Sequence, residues 1–246
     1  MAYKSKYTGS EIDAALERAL STEGLSTWQK SYLEKAESDE RSGKFSVSAS
    51  LSGVGSEFTG AAAAYTLTAQ VRYDGAGVTG ASVTASGAAS GAMTEASAGV
   101  YRTSFTSAAP ASTNGRVTVS ASASAVYNDG YGELTKTASA SHTRYAATYC
   151  VLTDTEDTPQ GETVTAGTKK VLTTLSGSHT VTGCAGKYVW IVYPSCLSLA
   201  KITSGGFEVP RLDAVSLTLT LGESAVSYLA VRIEGRPQSD MNITIS

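Results

Sequence analysis

At 246 residues and a net charge of −3, the chain is long enough for two domains and carries no strong field of either sign. Binding to phosphate backbones needs a basic stripe, and no Lys/Arg cluster exists beyond Lys169-Lys170, so nucleic acid is excluded as a partner. The longest apolar run, Tyr188 to Pro194, is far too short to span a bilayer, so no membrane partner is expected.

Hydrophobic residues make up 41% and charged residues only 17%; Ser, Thr, Ala and 24 glycines fill the difference. Such a mixture favours short strands joined by turns, over cores thin in buried apolar area because Ala contributes little. No secretory h-region follows Met1, so the expectation is a protein that stays in the cytoplasm or leaves without a signal. Cys150, Cys184 and Cys196 fit no metal-ligand spacing and read as small buried thiols; a Cys184–Cys196 bridge remains open.

Residues 1–44 hold 15 of the 41 charged side chains, which marks a compositional boundary. Thr8-Gly9-Ser10-Glu11 reads as a capping box. Ile12, Leu16, Ala19 and Leu20 then form one apolar stripe at helical spacing, and Gly24 ends it. A second start lies at Ser26-Thr27-Trp28-Gln29, followed by a stripe of Trp28, Tyr32, Leu33 and Ala36 that Ser42-Gly43 closes. Stripes this narrow resemble coiled-coil seams and need cover, and the reading leans towards cover by other copies of the chain.

From Lys44 the period becomes two. Tyr65, Leu67, Ala69, Val71 and Tyr73 alternate with polar residues as in a half-buried strand, and Asp74-Gly75 turns the chain. Further strands are expected from Val83, over Gly99–Phe105, over Arg116–Val126 after the Asn114-Gly115 turn, and over Leu134–Tyr145. Short strands with no helix between them describe a sandwich.

After Ala146 the expected strands are Thr148–Leu152, Thr163–Thr165, Lys169–Leu175, His179–Thr182, Tyr188–Tyr193, Leu197–Ile202, Val215–Leu221, Tyr228–Ile233 and Met241–Ile245. Tyr188–Tyr193 is apolar on both faces and reads as a central strand. Trp190 and Phe207 are expected to supply core bulk. The fold class is therefore mainly β: a helical attachment or oligomerisation segment (1–43), a first β-sandwich (44–145) and a second (146–246).

The inventory for chemistry is sparse. His142 and His179 sit in polar strand contexts and read as exposed strand residues, and no nucleophile elbow is present. Asp154, Glu156, Asp157 and Glu162 form a carboxylate cluster without the glycine and periodicity of a calcium loop, so it reads as a solvated loop. No cofactor, metal or catalytic residue is assigned. Tyr127 and Tyr131, around an Asn-Asp-Gly loop, are the best candidates for a surface contact tip.

Residues Tyr7-Thr-Gly-Ser-Glu-Ile-Asp-Ala-Ala-Leu-Glu-Arg-Ala19 resemble the opening of many tail-fibre, head-fibre and baseplate-appendage proteins of gut-bacterial phages, the Bacteroides-infecting and crAss-like types among them. In that family the segment is an attachment or oligomerisation helix ahead of β modules. Residues 71–84, with Gly99-Val100-Tyr101 and Gly115–Ser120, are similar to bacterial and phage Ig-like repeats. The resemblance implies a virion structural protein, trimeric through its N-terminus, assembled in the host cytoplasm with capsid or tail partners, and contacting host surface glycans in some members. The alternative is a bacterial surface adhesin or carbohydrate-binding module.

Overall fold

The computed structural model describes residues 10–15, 26–172 and 174–246. The protein is mainly β, with 54% strand and 13% helix, and its strands pair antiparallel apart from one short parallel pair. Helices are α1 (residues 10–15), α2 (Thr27–Lys44) and α3 (Gly161–Thr165). The first ten strands are β1 (Phe45–Ser52), β2 (Ala63–Tyr73), β3 (Ala76–Gly77), β4 (Ser82–Gly87), β5 (Gly91–Ala92), β6 (Thr94–Ser97), β7 (Val100–Ser107), β8 (Ser112–Thr113), β9 (Arg116–Asn128) and β10 (Glu133–Tyr145). Nine follow: β11 (Ala147–Thr153), β12 (Thr168–Val171), β13 (Gly177–Val181), β14 (Tyr188–Pro194), β15 (Ile202–Ser204), β16 (Phe207–Glu208), β17 (Val215–Leu221), β18 (Ser224–Arg232) and β19 (Met241–Ile245).

Two sheets, ordered β1-β2-β7-β6 and β10-β9-β4-β5, enclose the first core. The alternation of β2 explains its side: Tyr65, Leu67, Ala69 and Val71 are buried while Gln70 and Arg72 are exposed. Alanines 69, 85, 121, 123 and 125 fill much of the space, so this core is indeed thin in apolar area. β9 and β10 pair along their full length, from Arg116↔Tyr145 to Asn128↔Glu133, as one long hairpin.

The remaining sheets are ordered β12-β11-β14-β18-β17 and β13-β19-β15-β16. β14 lies between β11 and β18 and is buried along its whole length, because both faces of its sheet are covered. Val189, Ile191 and Tyr193 enter the core shared with Ile243 and Ile245; Tyr188, Trp190 and Val192 enter a second cluster on the opposite face.

Phe58, from the β1–β2 loop, is buried in that second cluster, among residues that otherwise come almost wholly from 146–230. Arg144 lies over the rings of Phe58 and Tyr65, at 5.4 and 5.8 Å. β8 pairs parallel with β18, and Glu223 N–H donates to the Gly60 carbonyl at 3.0 Å. Gly60 has φ +78°, and a side chain there would collide with the Leu221 carbonyl oxygen, so only glycine fits this crossing.

Several expectations are corrected. Thr163–Thr165 is not a strand but the end of α3, with Val164 buried beneath it. Leu197–Ile202 is strand only from Ile202; Leu197 and Leu199 are buried, but the backbone uses turn and terminal bonds, Leu197 N–H to Pro194 and Ala200 N–H to Ser246. The strand expected over Lys169–Leu175 stops at Val171. Phe207 adds nothing to the core, being 80% exposed. His179 is buried rather than exposed. All three cysteines are free, and Cys184 Sγ donates to the Val181 and Ser239 carbonyls. Burial pushes the Cys150 thiol up to about 12, which keeps it protonated and inert.

Candidate functional site

The best-organised polar cluster joins the N-terminal helices to the tip of the β9–β10 hairpin. Ser26 caps α2, and its N–H and hydroxyl both donate to Gln29 Oε1 at 2.9 Å within a capping box. It ends at Lys44, and Phe45 opens β1 directly, so no linker separates helix from sheet. Buried Phe45 stacks on Tyr127 at 6.0 Å, and Tyr127 also meets Tyr73 at 5.7 Å. This aromatic trio fixes the direction in which the helix leaves the sheet.

The lock is an ion pair. Arg41 Nε and Nη2 donate to the two carboxylate oxygens of Asp129, each at 2.7 Å, and Nη2 also reaches the Gly132 carbonyl at 3.3 Å. Side-chain exposure is 17% for Arg41 and 3% for Asp129, so water competes little for this bidentate fork. Tyr73 hydroxyl donates to Asp129 at 3.2 Å and the Tyr131 N–H at 3.0 Å. The Arg41 guanidinium, chiefly, holds the Asp129 carboxyl below the usual carboxylate range, against the opposing effect of burial. Tyr73 is raised, by burial first and by the Asp129 charge second.

α1 joins the same cluster. Tyr131 hydroxyl donates to Asp13 Oδ2 at 3.3 Å, and Arg41 lies 5.6 Å from the centre of the Tyr131 ring. A cleft of about 90 Å³ opens between Ile12, Glu37, Lys44 and Tyr73. The loop singled out as a contact tip thus receives the chain's own N-terminal helices. Tyr127 is half-buried in the trio, while Tyr131 is exposed yet engaged by Asp13 and Arg41.

The far part of α2 has no such support. None of its residues is buried; Trp28 is 70% exposed and Tyr32 68%, and Leu33 is half-buried. Ile12 is half-buried, whereas Leu16, Ala19 and Leu20 lie outside the described residues, as do Thr8 and Gly9 of the expected capping box.

Elsewhere two members of the carboxylate cluster are spent on ion pairs. Asp154 binds Lys187 at 2.6 Å, and Glu156 takes the Tyr188 hydroxyl at 2.7 Å and Arg232 at 3.0 Å. Tyr188 and Arg232 hold Glu156 below its ordinary range. Among the described residues no group of His, Cys, Asp and Glu is placed to hold a metal ion. His179 is lowered by burial first and by Lys170 second, and its Nε2 has no partner among the described residues. Among the described residues no helix is long and apolar enough to cross a membrane. The chain matches no known family model, no curated protein and no solved structure.

Proposed function

We propose that the chain is a non-catalytic structural subunit of a phage virion, a head fibre, decoration or tail appendage. It attaches as a homotrimer through its N-terminal helices, with capsid or tail proteins as partners, and displays an Ig-like sandwich (44–145) and a second sandwich (146–246). One observation carries the reading: α2 is locked rigidly to the sheets at one end while its other end presents Trp28 and Tyr32 to solvent. Most helical stability in proteins comes from packing an apolar face, and none of the 18 residues of α2 is buried. Covering the two aromatic rings is worth roughly 1.5–3 kcal/mol each.

The acidic groups with lowered pKa support a structural role. Asp129 and Glu156 are each spent on an arginine and tyrosine hydroxyls. An adhesin or carbohydrate-binding reading draws on free tyrosine faces, and Tyr127 and Tyr131 are already in contact within the chain.

Sedimentation of the full chain tests this against the double variant Trp28→Ser/Tyr32→Ser, whose exposed positions leave the fold intact. The expected result is a threefold fall in mass on substitution. Equal stoichiometry in both proteins overturns the reading.

A further inference from the structure

Free sheet edges invite pairing with other chains, and most edges in this protein are blunted. β5 and β16 are two residues long, and β6 has four with a bulge between Glu95 and Ser97. β12 carries Lys169 and Lys170, β13 holds the buried His179, and β1 lies alongside β10. β17 is different. Val215-Ser-Leu-Thr-Leu-Thr-Leu221 runs seven residues without a charge, a proline or a bulge, and among the described residues it pairs only with β18.

The register shows which of its backbone groups are free. Ala225 N–H donates to Ala111 and the Ser227 carbonyl accepts from Ser195, so the odd residues of this part of β18 face away from β17. Their cross-strand partners Thr220 and Thr218, and Ser216 by the same alternation, must turn their own N–H and C=O groups to the outer edge. No backbone partner meets them among the described residues. Beside this edge, the strap from β16 into β17 exposes Phe207, Leu212 and Val215.

We propose that β17 pairs antiparallel with β17 of a second copy of this chain, about a two-fold axis at Thr218. The strand is self-complementary in that register. Ser216 meets Thr220 of the other copy and Thr218 meets Thr218, so every outward residue faces an outward residue. About six backbone hydrogen bonds close with none left over. The leucines at 217 and 219 face each other on the opposite side, and Val215 covers Leu221. The hydroxyl pairs this creates are of a kind the chain already uses between strands, as in Thr118–Thr143 and Ser122–Ser139, both at 2.8 Å. No charge lies within residues 215–221; Asp213 and Glu223 flank the seam at either end.

The test uses the full chain with Thr218→Lys and Thr218→Glu, which place like charges across the axis on a solvent-exposed face. Each variant alone is expected to sediment at half the mass of the parent, and an equal mixture of the two to recover the full mass. Amide exchange at Ser216, Thr218 and Thr220 is expected to slow as protein concentration rises. Unchanged mass in both variants, or exchange independent of concentration, overturns the proposal. The twofold change is distinct from the threefold change read at Trp28 and Tyr32, so either interface can fail alone.

Discussion

Arg41 and Asp129 are 88 positions apart, and neither stands out in the sequence: one is a charge on a helix, the other part of an Asn-Asp-Gly turn. The turn was legible from residue types alone, because Asn128 and Asp129 accept from the backbone two residues ahead. The helix was legible too. Their meeting was not, since a pair so distant leaves no periodicity. Removing one partner of a nearly buried fork strands the other, so Asp129→Asn is expected to weaken docking of α2 by roughly 3 kcal/mol, on the order of a hundredfold in the opening equilibrium. Tryptic cleavage after Arg41 reads this directly, and an unchanged rate would remove the ion pair from the account. The pH dependence has a definite sign. Because the folded carboxyl is depressed, the contribution of Asp129 is complete above the ordinary carboxylate range and is lost as pH falls through the lower folded value. The near-ultraviolet signal of Tyr73, Tyr127 and Tyr131 should hold from neutrality down to about pH 4 and collapse only in stronger acid.

For strands, period-two alternation located β2 and β9, and the apolar run of β14 correctly announced a strand covered on both faces. The failures share a cause. Alternation and β-branching report which side chains are buried, not which backbone groups join a ladder. Leu197 and Leu199 alternate and are buried, yet Ala200 bonds to the chain end rather than to a strand. Thr163-Val164-Thr165 has the residue types of a strand, but Val164 reaches its cluster from a single helical turn beside β11. Two substitutions check this local reading. Val164→Ala should cost about 2 kcal/mol, lowering the melting temperature by roughly 4–8 °C for a chain of this size. Thr163→Ala, on the exposed side of α3, should be neutral or stabilise by a few tenths of a kcal/mol, since Ala favours a helix over Thr. Clear destabilisation by the latter would mean that the segment is extended after all.

The change from the first pair of sheets to the second falls between Tyr145 and Ala147. What no pattern announced is the traffic across that line. Phe58 belongs by position to the first pair of sheets and by packing to the second, β8 completes an edge of β18, and Gly60 lies against the Leu221–Gly222 turn. A phenylalanine in a loop reads as a local anchor until the cluster it enters is known. These crossings couple the parts energetically, because unfolding either one uncovers Phe58 and leaves Arg144 without the ring it packs on. Heat or urea should therefore unfold residues 26–246 in one transition, with near- and far-ultraviolet signals superimposing. Phe58→Ala removes the main apolar tie and leaves a void that the surrounding strands cannot close, at a cost of roughly 3–5 kcal/mol. The thin, alanine-filled core of the first pair has the least apolar area to fall back on, so it should melt first in the variant, and the single transition should resolve into two. Two transitions already present in the parent protein, or one retained in Phe58→Ala, would show that the joint is a contact between independent units rather than part of their stability.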